Sequence, residues 1–229
     1  DRALQQAAGA VGIEQVVVAD KAGGKQVHRR GVEGFGVATL DDPALVHQFY
    51  NLRRAQLLDA KLKPNAAHLA LATFEQQHKA KGGSFLLITQ NVDNLHQRAG
   101  SESVIAMHGQ LQKVKCPVTG KNQSWLKDLT ATDLCHCCRT PQPLRPDIVW
   151  FGEMPYQMDE CVDALMQADL FISIGTSGQV YPAAGFVQIA AESGAHTVEL
   201  NMEATRGDFA EGYYGPAAKI VPAYLAKLG

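Results

Sequence analysis

The sequence predicts an α/β fold, in which helices cover both faces of a parallel sheet and a small module is inserted between strands. Three observations predict it. Short apolar runs of strand length recur along the chain, helix-like segments alternate with them, and one stretch rich in cysteine and proline interrupts the alternation. A chain of 229 residues with 46% hydrophobic content is long enough to bury a substantial core.

The predicted strands are three apolar runs, "SFLLIT" (84–89), "DLFISIG" (169–175) and "AHTVELN" (195–201). The segment "YPAAGFVQIAAESG" between the last two reads as a helix, with Pro182 near its start and Gly194 at its end. The segment "AKIVPAYLAKLG" closes the chain. Buried strands that alternate with helices are typical of a parallel sheet.

Residues 113–145 have a different composition, with clustered cysteines, several prolines and few periodic apolar residues. We predict a small separate module there, and a main domain formed by residues 1–112 and 146–229. The five cysteines are odd in number, and four of them lie within this stretch. Clustered cysteines favour a metal site in a reducing compartment over a disulfide framework.

The formal charge of −2, with both signs well mixed, argues against binding to nucleic acid or to anionic membranes. No apolar stretch approaches the roughly 20 residues of a membrane span. The first residues, "DRALQQAAGAVGIEQ", lack the basic flank and apolar run of a signal peptide. We therefore expect a cytoplasmic protein.

Polar residues follow the predicted strands where each of them ends, in "TQNVDN", "GTS" and "LNME". Ligands of open parallel sheets bind beyond the carboxyl ends of the strands, so these segments predict a nucleotide site. The backbone N–H groups of Gly175, Thr176 and Ser177 suit phosphate, and a carboxylate suits ribose hydroxyls. A plain turn remains the alternative for "GTSG". A plain turn is a weaker alternative for "TQNVDNLH", because Ser or Gly would suffice to form one.

Several segments in order, "TQNVDNLHQRAG", "MHGQL", "RPDIVWFGEMP", "IGTSGQVYPAAGF" and "ELNME", closely resemble the sirtuin family of NAD-dependent protein deacylases. The resemblance runs from about Asp42 to the C-terminus and is closest to bacterial enzymes related to desuccinylases. It implies a Rossmann-like NAD domain, a small zinc-ribbon-like domain, and a site in the cleft between them.

The resemblance implies a lysine deacylase that consumes NAD and acts on acylated-lysine proteins. In that reaction the acyl-lysine amide oxygen attacks C1′ of the nicotinamide ribose, and the products are free lysine, nicotinamide and O-acyl-ADP-ribose. His108 of "MHG" is the expected catalytic residue, a general base on a ribose hydroxyl. A lone histidine after the apolar run "VIAM" is more often a packed turn residue, and the motif match is what favours catalysis.

The same resemblance implies the remaining site residues. Those expected to bind NAD are Gln90, Asn91, Val92, Asp93, Gly175, Thr176, Ser177, Asn201, Met202, Glu203 and Ala218. Those expected to contact the acylated substrate are Tyr50, Arg53, Val149, Phe151 and Gly152.

Tyr50 and Arg53 match the Tyr-x-x-Arg pair of desuccinylase-type sirtuins and share a helix face. A phenol and a guanidinium suit the terminal carboxylate of a succinyl or malonyl group. The alternative is an amphipathic helix with Arg53 and Arg54 in solvent.

The metal signature is incomplete. Cys135 and Cys138 form a C-x2-C pair, and Cys116 precedes them, but position 119 is Thr where a second pair would end. Cys137 or His136 is the candidate fourth zinc ligand, although adjacent residues seldom chelate one ion well. A degenerate ribbon without metal is the alternative.

The N-terminal fifth departs from the family, whose "GAGIS…SGIPxFR" segment holds the NAD pyrophosphate. Here the stretch reads "AAGAVGIEQVVVADKAGGKQVHRRGVEGFG". It has diverged, carries a reading-frame error, or replaces the native start, and we favour the latter two because the later motifs are intact. If it has diverged, the chain is a weak or inactive sirtuin-like nucleotide-binding adaptor.

Overall fold

Strands and helices alternate along the residues that the computed structural model describes, 14–19 and 43–228. The strands are β1 Glu14–Ala19, β2 Ser84–Thr89, β3 Val104–Ala106, β4 Gly109–Lys115, β5 Asn122–Ser124, β6 Arg145–Ile148, β7 Leu170–Ile174, β8 His196–Asn201 and β9 Glu211–Tyr214. The helices are α1 Pro43–Leu58, α2 Ala66–Ala80, α3 Leu95–Ala99, α4 Met158–Met166, α5 Phe186–Glu192 and α6 Ala217–Leu225. A 3₁₀ turn, Ala183–Gly185, precedes α5. The three strands and the helix predicted from apolar runs all form, within a few residues of the expected bounds.

The main sheet has six strands in the order β3-β2-β1-β7-β8-β9. Strands β2 and β3 are parallel, as are β7, β8 and β9. The predicted α/β fold is confirmed with one difference, because β1 runs antiparallel to both of its neighbours. An apolar run reads the same in either direction, so its composition does not reveal this orientation.

Helices cover both faces of this sheet, and alternate side chains of β2 and β7 point to the two faces. On one face α2 and α6 pack against β2, β7 and β8. On the other face α4 and α5 pack against the same sheet. In β2, for example, Leu87 belongs to the first core and Ile88 to the second, and both are fully buried.

A separate antiparallel sheet of three strands, in the order β5-β4-β6, carries its own small core. That core consists of Val114, Cys116, Leu129, Cys135 and Leu144. The division of the chain at residues 113 and 145 stays a prediction.

Helix α1 lies against this second sheet, where Leu57 meets Leu111 and Ile148. Tyr50, Val92 and Trp150 pack around them, and this contact closes one side of the cleft described below. Within the described part of the chain, no helix is both long and apolar enough to cross a membrane.

Most of the N-terminal segment that does not match the family motif lies outside the described residues, apart from β1.

Candidate active site

A cleft of about 930 Å³ lies between the main sheet and the three-stranded sheet. Its walls come from α1, from the chain after β2 and β3, from the cysteine module, from β6 and the chain that follows it, and from the segment after β7. The lining residues are Val46, His47, Tyr50, Gln90, His108, Ala131, Pro143, Leu144, Arg145, Pro146, Val149, Trp150, Phe151, Gly152, Glu153, Pro155, Val180 and Tyr181. The volume and the concave, mainly apolar lining are typical of a small-molecule site.

His108 lies on the turn between β3 and β4, and backbone hydrogen bonds fix this turn from both sides. The Met107 N–H donates to the Thr89 carbonyl (3.1 Å), and the Val149 N–H donates to the His108 carbonyl (2.9 Å). Two more bonds, from Leu111 N–H to the Val92 carbonyl (2.8 Å) and from Tyr156 N–H to the Met107 carbonyl (2.9 Å), extend the connection. The end of β2, the histidine turn and the segment after β6 are thus bonded to one another.

The His108 ring has a defined tautomer. Its Nδ1 lies 3.2 Å from the Gln90 carbonyl oxygen, which can only accept, so Nδ1 carries the proton. Burial lowers the pKa of His108, and the bond to Gln90 offsets part of that effect. A neutral ring with a protonated Nδ1 leaves the Nε2 lone pair available, which is the state a general base requires.

Gly109 follows the histidine because no other residue fits. Its φ is +88°, and a Cβ there would lie 2.0 Å from the Asp147 carbonyl oxygen. Strand β6 can therefore approach the catalytic turn this closely only at a glycine.

The four predicted residues after β2 make different contacts. Gln90 is 8% exposed, and its side-chain Nε2 is buried without a hydrogen-bond partner among the described residues. Asp93 accepts from the Leu95 N–H (2.9 Å) at the start of α3, and Val92 packs against the cluster that contains Leu111. The Asn91 N–H bonds to the Thr89 hydroxyl (3.0 Å). A buried, unpaired donor facing a cleft is costly unless a ligand accepts from it, so Gln90 fits a cofactor that presents a carbonyl or hydroxyl oxygen.

The turn after β7 is only partly arranged as expected. The Gly175 N–H donates to the Leu200 carbonyl (2.9 Å), so this group does not serve as the phosphate donor expected from the sequence. Thr176 is 9% exposed, and its carbonyl accepts from the Asn201 side chain (2.7 Å). Asn201 thereby joins the turn after β7 to the end of β8, next to the exposed Ser177.

The remaining predicted cofactor residues lie on the surface. Met202 is 61% exposed and Glu203 is also exposed, both directly after β8. Ala218 is exposed in the first turn of α6.

The predicted acyl-binding pair lies on α1, but its members differ in position. Tyr50 lines the cleft, and its phenol oxygen accepts from the Trp150 indole Nε1 (3.2 Å). Burial raises the pKa of Tyr50, and the Trp150 bond and the nearby Arg53 charge oppose this. The Arg53 guanidinium stacks on the Phe49 ring, 4.6 Å from its centroid, and does not line the cleft. Arg54, by contrast, is 1% exposed, so the interpretation that both arginines lie in solvent is wrong for Arg54.

The predicted substrate segment follows β6 as a turn. Val149 is half-buried, Phe151 is 84% exposed, and Gly152 adopts a φ of +87°. An ion pair that sequence reasoning missed supports it: Arg145 bonds to Glu153 (2.6 Å) and stacks on Trp150, 4.0 Å from the ring centroid. Opposite charges flanking the apolar centre of "RPDIVWFGE" were the available signal.

The four predicted metal ligands converge. The sulfur atoms of Cys116, Cys135, Cys137 and Cys138 all lie within 4.8 Å of one another, and His136 is not among them. Four sulfurs around a tetrahedral zinc at 2.3 Å would lie about 3.8 Å apart, so the donor set and the spacing fit this ion.

Cys137 lies next to Thr119, the residue that interrupts the first cysteine pair. Thr119 stands where a second cysteine was expected, and its hydroxyl lies 3.0 Å from the Cys137 sulfur. Bonds from the Thr119 hydroxyl, and from the N–H groups of Thr119 and Val118, lower the pKa of the Cys116 thiol. The Cys116 sulfur and burial raise the pKa of Cys138 to about 12, so Cys116 is the thiol of this pair that ionises more readily to the thiolate that binds a metal.

The fold and the cleft are those of an α/β protein of the nucleotide-binding type, with a buried imidazole in the cleft and an attached cysteine-cluster module. Comparison with known proteins then identifies the family. The model of the Sir2 family matches residues 34–182, so the chain belongs to the Sir2 family, and the resemblance seen in the sequence is confirmed.

Named relatives are similar over most of the chain. An NAD-dependent protein deacylase of Escherichia coli (strain K12) is 58% identical over 189 residues, which cover 82% of this chain and 67% of the relative. Another of that name, from Salmonella typhimurium, is 55% identical over 188 residues, 81% of this chain and 68% of its own length.

Solved structures of Sir2 proteins are similar to this chain in fold. A Sir2 homolog–NAD complex superposes with a TM-score of 0.71 at 32% identity, covering 82% of this chain and 72% of that one. A Sir2 bound to acetylated peptide gives a TM-score of 0.67 at 32% identity, covering 80% and 79%.

Proposed function

We propose that this chain is an NAD-dependent protein-lysine deacylase that acts on acetylated and succinylated lysines. The observation that carries the proposal is the neutral His108 ring, with Nδ1 bonded to the Gln90 carbonyl, in a cleft that also contains the unpaired Gln90 amide. Family membership and the deacylase name of the relatives support it.

NAD supplies a ribose whose nicotinamide can be displaced by the amide oxygen of the acyl-lysine. The residues of this chain then have distinct roles. His108 Nε2 takes a proton from a ribose hydroxyl, and Gln90 donates its buried N–H to the cofactor. Asn91, Val92 and Asp93 border the nicotinamide ribose. The turn Thr176–Ser177 and the segment Asn201–Glu203, with Ala218, hold the remainder of the dinucleotide.

The substrate peptide lies along residues 148–153, whose exposed Phe151 and turn at Gly152 form one wall of the cleft. Tyr50 receives the far end of the acyl group. Because its oxygen accepts from Trp150, its own proton is available for a carboxylate. Arg53 turns from Phe49 toward that carboxylate and adds charge. The four-cysteine cluster holds zinc as a structural ion.

The partners that we propose are acylated-lysine proteins, without nucleic acid or membrane, in the cytoplasm. The well-mixed charge of the chain supports the exclusion of nucleic acid.

The test is mass spectrometry of an acetyl-lysine and a succinyl-lysine peptide incubated with the protein and NAD. We expect O-acyl-ADP-ribose and nicotinamide in equal amounts. His108→Ala should lower kcat by about 10² to 10⁴ while the Kd for NAD changes little. NAD binding by calorimetry without any product would indicate a nucleotide-binding adaptor instead, and full turnover by His108→Ala would remove His108 from the mechanism.

A further inference from the structure

Arg54 is among the most buried side chains of the described residues, although it carries a permanent charge. Its Nε donates to the Leu111 carbonyl of β4 (2.8 Å), and its Nη1 donates to the Asn51 side-chain oxygen (2.7 Å) and the Lys127 carbonyl (3.4 Å). Burying a guanidinium is costly, and an apolar residue would fill the same space at lower cost. The bonds of the Arg54 guanidinium join α1 to β4 and to the backbone of Lys127.

Asn51 extends the same set of bonds into the cysteine module. Its side-chain oxygen accepts from the Leu129 N–H (2.9 Å), and its Nδ2 donates to the Leu129 carbonyl (3.0 Å). Leu129 is 1% exposed in the module core, next to Cys116 and Cys135. We call Asn51 and Arg54, with these partners, the α1 clamp.

The clamp lies directly beside the acyl-binding pair. Asn51 follows Tyr50 and Arg54 follows Arg53, so each clamp residue is covalently next to one of the two groups proposed to read a carboxylate. Tyr50 is also bonded to Trp150, which lies in the segment after β6. The position of Tyr50 relative to His108 therefore depends on how firmly α1 is held to β4 and to the loop 127–129.

We infer that Asn51 and Arg54 are positioning residues for acyl selectivity, which hold α1 so that Tyr50 and Arg53 receive the carboxylate of a dicarboxylic acyl group. This inference rests on the proposed deacylase function. An acetyl group has no carboxylate to bind Tyr50 and Arg53. Loss of the clamp should therefore lower the activity on succinyl-lysine selectively. Small displacements of binding groups are enough to lower a rate substantially.

The experiment measures kcat and KM for succinyl and acetyl versions of one peptide. In Asn51→Ala we expect kcat/KM for the succinyl peptide to fall about tenfold relative to the acetyl peptide. The loss should come mainly from a higher KM for the succinyl peptide. Asn51→Asp keeps the two accepted bonds but sets a carboxylate oxygen against the Leu129 carbonyl, so it should lose less of the selectivity than Asn51→Ala.

Thr130→Ala is the matched control. Thr130 is exposed on the same loop and bonds to Asp133 (2.8 Å), outside the clamp. It should lower the melting temperature without changing the succinyl-to-acetyl ratio of kcat/KM.

An unchanged ratio in folded Asn51→Ala would overturn the inference. If that variant does not fold, an unchanged ratio in Arg54→Lys, which keeps the charge but loses the fork of donors, would overturn it equally. A wild-type protein that forms no O-acyl-ADP-ribose from either peptide refutes the proposed function instead.

Discussion

Burial of the His108 ring favours its neutral form. Burial lowers the pKa of the imidazole below its ordinary value of 6.5, more than the Gln90 carbonyl raises it. A general base works deprotonated, so kcat/KM should stay constant as the pH falls to 6.5 and decline only below that value. A profile of kcat/KM between pH 5 and 8 measures this decline. A decline that begins above pH 6.5 would contradict the lowered pKa of His108.

The same shift has a consequence for stability. The folded pKa of His108 lies below the unfolded one, so the unfolded state binds the proton more readily. The stability contributed by neutral His108 is present above about pH 6.5 and is lost as the pH falls through the lowered folded pKa. His108→Ala should remove this part of the acid sensitivity of the melting temperature.

Tyr50 and Arg53 should decide the preference between acyl groups. A charged hydrogen bond contributes about 1.5–3 kcal/mol, so the pair favours succinyl-lysine by one to two orders of magnitude or more. Arg53→Met and Tyr50→Phe should lose desuccinylation much more than deacetylation. Steady-state kinetics with both peptides tests this. Equal proportional losses would mean that Arg53, which stacks on Phe49, only supports the helix.

At the scale of elements, the β3–β4 turn requires glycine. A Cβ at Gly109 would meet the Asp147 carbonyl at 2.0 Å, whereas one at Gly120, also at positive φ, has no atom within 4 Å. Gly120→Ala should cost about 1 kcal/mol from backbone strain alone. Gly109→Ala should lower the melting temperature more and abolish activity. Equal melting temperatures in the two variants would show that β6 yields easily to the added methyl group.

The elements differ in how far the sequence predicts them. Strands β2, β7 and β8 were located within a residue or so because buried parallel strands are continuous apolar runs. The direction of β1 and the burial of Arg54 were not, since both depend on partners distant in the chain. Arg54 bonds to carbonyls 57 and 73 residues away, which no local pattern encodes.

The candidate site shows the same division. His108 is predicted from the resemblance of "MHGQL" to the family motif, and the cysteines from their residue type and a partial C-x2-C spacing. Trp150 and Glu153 contribute through contacts with Tyr50 and Arg145 that only the folded chain reveals.

For the whole molecule, zinc should contribute to stability. Purified protein should contain close to one equivalent, and a chelator should lower the melting temperature, because structural zinc contributes on the order of 10 kcal/mol to small domains. Cys137→Ser should lower the metal content, whereas Cys161→Ser, buried in another core, should not. Metal analysis that finds none in protein of native-like stability would end the assignment.

The backbone bonds around the histidine turn have a kinetic consequence. The amides of Met107, Leu111, Val149 and Tyr156 each donate across segment boundaries, to carbonyls of Thr89, Val92, His108 and Met107. None of these segments can leave without breaking a bond to the next, so we expect the four amides to exchange with deuterium at one common opening free energy, as a single cooperative unit. The end of β2, the histidine turn and the segment after β6 should then open and close together rather than one at a time.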